Sequence, residues 1–107
     1  MIKSAEVQEL IRRLAREEWP GLYEIISNLN TAHPDISESA KIDAVRPVLR
    51  ALLERGQLQL GWLEWPEGRP PIPLEAPEAI RLLDDPRSWQ AGERYPVLLG
   101  QPSLRAC

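Results

Sequence analysis

Phenylalanine is absent from this chain of 107 residues, histidine occurs once, at His33, and the one cysteine is Cys107. Each scarcity excludes something. A single imidazole cannot supply a metal site of two histidines or a pair of histidine acid–base groups. A single cysteine cannot close an internal disulfide, so packing must stabilise the fold, as expected in a reducing compartment. As a nucleophile Cys107 would need a neighbour that lowers its pKa and a rigid setting, and a frayed terminus is expected to supply neither. Apolar runs fall far short of the ~20 residues a membrane span needs. Met1 to Glu6 pass directly into an amphipathic pattern containing acids, unlike a signal peptide. The expectation is a cytoplasmic protein without membrane association. Basic excess is missing too: 13 Lys and Arg stand against 16 Asp and Glu, a net charge of -3. Residues 1–56 carry 8 basic and 9 acidic groups, and residues 57–107 carry 5 and 7. A protein that lives by phosphate contacts usually has a basic excess or stripe, because cation–phosphate pairing supplies most of that affinity.

What is present is 43% apolar residues, 4 Trp and 11 Pro. The length fits one domain, here residues 1–100, followed by a tail at 101–107. A chain of this size buries roughly 65% of its unfolded surface, enough for one core and too little for a large internal cleft. Val7, Leu10, Ile11, Leu14 and Ala15 recur with helical period and predict a helix over Ser4–Glu18, with Ser4 as its cap. Trp19, Pro20 and Gly21 stop it. A short helix is expected over Leu22–Asn28, burying Leu22, Ile25, Ile26 and Leu29, then a connector over Asn30–Pro34. The third helix starts near Asp35, Ser37 or Ser39, buries Ile42, Val45, Val48, Leu49, Leu52 and Leu53, and ends at Arg55 before Gly56. Pro47 inside it predicts a bend near Asp43 or the start of its last section there.

After Gly56 the period falls to 2. Leu58, Leu60 and Trp62 define one buried strand face, with Leu63 and Trp65 on the other. Pro66 to Pro73 form a tip and a return segment fit only for a sheet edge. A last helix begins at Pro77 and stops at Asp84, Asp85 and Pro86. Trp89 lies in the following loop, and Tyr95, Val97, Leu98 and Leu99 close the sheet. The fold class is α+β.

Three helices, a strand, a Pro- and Gly-rich tip and a return strand, over Leu22–Asn28, Ser37–Gly56 and Leu58–Pro73, resemble a winged helix across about half the chain. The run Glu54-Arg55-Gly56-Gln57-Leu58, then Pro77-Glu78-Ala79-Ile80, Trp89 and a terminal apolar strand, is similar to small bacterial winged-helix-like proteins. Some of these serve as immunity proteins beside secreted polymorphic toxins. The resemblance implies a non-catalytic domain that occludes a toxin's active surface.

The residues themselves leave two further classes open. As a winged helix-turn-helix transcriptional regulator, the chain would present Ser37, Glu38, Ser39, Lys41, Asp43 and Arg46 to DNA. Asp35, Glu38 and Asp43 have the wrong sign for that polyanion. An adaptor or homodimer could use the first helix or the wing edge. Catalysis has no constellation: His33 sits in a connector as a cap or surface residue, and Ser37, Ser39 and Ser103 lack a base. Asp84 and Asp85 without further oxygen ligands suit a helix end better than a cation. No metal, cofactor or catalytic residue is expected. The expected partner surface consists of Glu64, Trp65, Glu67, Arg69, Asp84, Asp85 and Trp89, its acids suited to a basic toxin domain. Trp65 has two readings, as an interface anchor or as core under residues 76–99.

Overall fold

The computed structural model describes residues 2–17, 19–64, 70–90, 92 and 94–99, with only the backbone at Glu64. Four helices and a three-stranded antiparallel sheet run in the order α1 (Ser4–Leu14), α2 (Leu22–Ala32), α3 (Glu38–Glu54), β1 (Leu60–Glu64), β2 (Ile72–Pro73), α4 (Ala76–Leu82) and β3 (Arg94–Leu98). A single 3-10 turn, Pro86–Trp89, connects α4 to β3. The class is α+β, as the change of period at Gly56 implies.

The helical stripes bury the expected side chains. Val7, Leu10, Ile11 and Leu14 of α1 meet Leu22, Ile25, Ile26 and Leu29 of α2, together with Val45, Val48, Leu49 and Leu53 of α3. Ile42 and Leu52 pack at the margin of this cluster, half-buried. Leu58, Leu60, Ala79, Leu83, Trp89 and Leu98 complete the core from the C-terminal half.

Several boundaries differ from expectation. Helix α1 ends at Leu14, a turn before Glu18, and its cap is Lys3, whose side chain makes no capping bond; Ser4 is already helical. Helix α2 continues through Asn30 and Thr31 to Ala32, because its backbone ladder tolerates polar residues on an exposed face. Its entry is fixed by Glu24, whose Oε2 accepts from the Gly21 N–H at 2.7 Å. For α3 the cap is Ser37, whose hydroxyl accepts from the Ala40 N–H at 3.3 Å. Helix α3 runs unbroken through Pro47. Both Pro47 and Asp43 are exposed, so the carbonyl that Pro47 leaves without a helical donor lies on the wet face.

Gly56 ends α3 with φ at +68°. Its N–H bonds to the Leu53 carbonyl and that of Gln57 to the Leu52 carbonyl, the paired bonds of a Schellman turn. A Cβ added at Gly56 meets nothing within 4 Å, so only the backbone resists a side chain there. Gly56→Ala therefore lowers stability by about 1–2 kcal/mol, the cost of an L-residue in the left-handed region, measurable by urea unfolding.

The sheet has the order β2-β1-β3. β1 pairs with β2 through Gly61–Pro73 and Trp62–Ile72, and with β3 from Leu60–Leu98 to Glu64–Arg94. The closing strand thus lies on the far side of β1 from the return strand. It also bridges backward to Gly21 through Val97, and the Leu98 N–H donates to the Pro20 carbonyl at 2.8 Å. Gly61 in the middle strand is required by close approach: a Cβ there would sit 2.7 Å from Leu99 Cδ1 and 2.9 Å from Pro71 Cβ. The expected strand start at Leu58 shortens to Leu60, although Leu58 is buried. The expected extension to Trp65 and the tip Pro66–Arg69 lie outside the described residues, as does the tail 101–107. No helix among the described residues is long and apolar enough to cross a membrane.

Candidate partner-binding site

Along β1 the cover over the sheet runs out. Leu60 is fully buried by the helical core, but Trp62, two residues on, is only half-buried. It stands between two open cavities. On one side Trp62, Ile72, Leu74, Glu78 and Leu82 line a space of about 250 Å³. On the other, Trp62, Asp85, Arg87, Ser88 and Arg94 line one of about 320 Å³.

The first cavity is apolar because of how β2 and α4 are joined. Pairing of Ile72 with Trp62 and the Leu74 N–H bond to the Leu60 carbonyl, at 2.9 Å, hold the return segment beside β1. Helix α4 then starts at once at Ala76, one residue before the expected Pro77, which lies in its first turn, and this places Glu78 and Leu82, four residues apart, along the same groove. Ile72 is 61% exposed, the one large hydrophobic so exposed among the described residues. Glu78 is the charged side chain on this lining among the described residues. The second cavity is polar and shaped by the 3-10 turn. Asp85 caps that turn: its Oδ1 accepts from the Arg87 N–H at 2.9 Å, and its Oδ2 lies 3.1 Å from Arg87 Nη2.

These bonds hold the Asp85 carboxyl below its ordinary pKa, the Arg87 side chain contributing most and the Arg87 backbone N–H next. The folded state therefore favours the charged form. Its contribution is complete above the ordinary carboxylate range and is lost as pH falls through the lowered value. In an NMR titration the Asp85 carboxyl carbon has its midpoint below that of an unpaired aspartate. Arg87→Ala moves it upward, with the backbone bond left to hold part of the shift.

Of the residues expected at the partner surface, the structure brings Asp85 to the polar cavity beside Trp62 and places Asp84 just past the end of α4. Asp84 is exposed and lies 3.5 Å from Arg46 Nε. Trp89 is corrected: it is 3% exposed and its Nε1 donates to the Leu83 carbonyl at 3.1 Å, so it is a core residue and offers no surface. The reason is that the 3-10 turn folds back over α2 and β3 and carries the indole inward. Glu64 is placed by its backbone alone, at the Arg94 end of β1, and Trp65, Glu67 and Arg69 lie outside the described residues. Trp62, expected in the core, is instead partly exposed and lines both cavities. Sequence reasoning also missed Ile72, Leu74 and Leu82. The signal for Ile72 was available, since it is an apolar residue set among prolines on an edge strand.

Cations expected to meet DNA are engaged within the chain. Lys41 is 3% exposed and its Nζ donates to Asn30 Oδ1 at 2.6 Å. Arg46 Nε donates to the Leu83 carbonyl at 3.0 Å, and Arg46 Nη1 to Asp43 Oδ1 at 3.1 Å. Elsewhere, His33 caps the end of α2 and its Nε2 lies 2.6 Å from Glu6 Oε2 on α1. Beside this pair, Glu9, Arg13 and Asn28 line a shallow groove between the helices, with the Arg13 guanidinium donating to Asn28 Oδ1 at 3.3 Å. Among the described residues no three of His, Cys, Asp and Glu lie together as metal ligands.

No protein-family model, curated protein sequence or solved structure matches this chain.

Proposed function

We propose that this chain is a winged-helix-like domain that binds one protein partner without catalysing a reaction, as an immunity protein that neutralises a cognate bacterial toxin. The observation that carries the reading is the groove at the end of the sheet. A half-buried Trp62 and an Ile72 that is 61% exposed lie side by side, on paired strands, with Leu74 and Leu82. Partly exposed aromatic anchors on a rigid frame are typical centres of protein interfaces, since little side-chain freedom remains to be lost on docking.

Charge narrows the partner. Glu78 stands on the wall of the apolar cavity, and Glu75, the cap residue of α4, and Asp84, just past its end, are exposed as well. An apolar floor with a carboxylate at its edge suits a Lys or Arg side chain, whose methylene stem covers the apolar surface while its head pairs with the acid. A toxin that acts on nucleic acid presents such side chains around its own cleft, and covering them blocks its substrate. The winged-helix part of the reading is supported by three helices followed by a hairpin, with α4 and β3 as additions. Engagement of Lys41 and Arg46 within the chain favours a protein over DNA as the partner.

Coexpression with the toxin encoded by the neighbouring gene tests this. The expected result is a stoichiometric complex that survives moderate salt and protects cells, and that Glu78→Lys weakens. Undiminished killing in the presence of the chain removes the immunity reading. Retardation of a DNA duplex that fades steeply with rising salt would instead identify a transcriptional regulator.

A further inference from the structure

The sheet has two edges, and the positions of its prolines follow them. In an antiparallel pair, successive residues alternately turn their N–H toward the partner and away from it. The Leu74 N–H bonds to the Leu60 carbonyl, so Leu74 faces β1, and Ile72, two residues before it, does the same. Position 73, the other residue of β2, then faces outward and is proline, and Pro71 just before the strand is proline as well. On the outer edge of β2 the place where a donor would meet an incoming strand therefore has none, and Pro71 beside it supplies none either.

The opposite edge repeats the arrangement. The Leu99 N–H bonds inward to the Gln59 carbonyl at 2.9 Å, and the Leu98 N–H bonds outward to Pro20. Pro96, two residues before Leu98, shares its outward direction and again lacks a donor. Leu98 is covered by the segment between α1 and α2, through Pro20 and the Gly21–Val97 bridge.

We propose that Pro71, Pro73 and Pro96 close both edges of this sheet to strand addition, so that neither a second copy nor a partner peptide can extend it. The edge needs such protection, because Ile72 makes it apolar and exposed, the combination that invites edge-to-edge pairing. Edge closure is independent of the toxin reading. It also fixes the manner of recognition at the groove: a partner contacts side chains there, as a helix or loop does, and does not continue the backbone ladder.

Sedimentation of the full chain over a range of concentrations tests the proposal. The wild type keeps a constant sedimentation coefficient, and a folded Pro71→Val/Pro73→Val variant shows one that rises with concentration. Equal constancy in a double variant with native circular dichroism overturns the proposal. Pro71 is buried against Gly61, so Pro73→Val alone supplies a second measurement at an exposed site. At low concentration the backbone amide that Pro73→Val introduces exchanges with solvent at the rate of an unprotected amide, while those of Ile72 and Leu74 stay protected. Protection of the introduced amide equal to theirs would mean that position 73 faces β1, and the proposal fails.

Discussion

Replacing Trp89 with alanine lowers stability by about 3–5 kcal/mol, the usual cost of removing a large aromatic side chain from a packed core. That is a large part of the ~5–15 kcal/mol that holds a domain folded. The indole is 3% exposed and packs within the same cluster as α1, α2 and α3, so its loss leaves a cavity where the two halves of the chain meet. The hydrogen bond is the smaller part. The Leu83 carbonyl accepts from Trp89 Nε1 and also from Arg46 Nε, so the truncated protein still satisfies that carbonyl. Trp89→Phe, which retains most of the volume and deletes the donor, accordingly costs only about 1–2 kcal/mol. Urea midpoints at unchanged slope give both values. A loss below about 1 kcal/mol for the alanine variant would place Trp89 outside the core.

Trp62→Ala has the opposite profile. The indole is only partly buried, at the open end of the sheet, so stability falls by less than at Trp89, about 2 kcal/mol. Affinity for the proposed partner falls by about 2 kcal/mol or more, roughly thirtyfold, as for an anchor at the centre of an interface. Calorimetric titration of the partner checks it. An unchanged dissociation constant, in a variant that unfolds like the wild type, would move the binding surface away from the groove.

The exchange of roles between these two tryptophans shows where sequence information stops. Within a helix, spacing alone decides which side chains share a face. Val7, Leu10, Ile11 and Leu14, and likewise Leu22, Ile25, Ile26 and Leu29, are buried as their period requires. Ser37 and Gly56 mark the ends of α3 by bonds among close neighbours, which are equally local. In β1 the alternation places Leu60 and Trp62 on one face, but the length of that face under cover depends on where α4 and the 3-10 turn come to rest. Residues well beyond the strand determine that, and no local pattern carries it. Trp89 entered the core for the same reason: a turn that looked like a loop in isolation is held against α2 and β3. Polar Asn30 and Thr31 misled in a simpler way, because they resemble a connector and sit on an exposed helical face.

The placement of β3 has a consequence for how the molecule is made. This strand supplies the longer of β1's two ladders and clasps Pro20 and Gly21, so the last described element fastens the junction that follows the first helix. During synthesis the three leading helices can collapse on one another early, whereas their final arrangement waits for Arg94–Leu98 to emerge. A nascent chain stalled before that point would hold Leu60 and Leu22 without their mature cover, and would present chaperones and proteases with a target that the finished molecule hides.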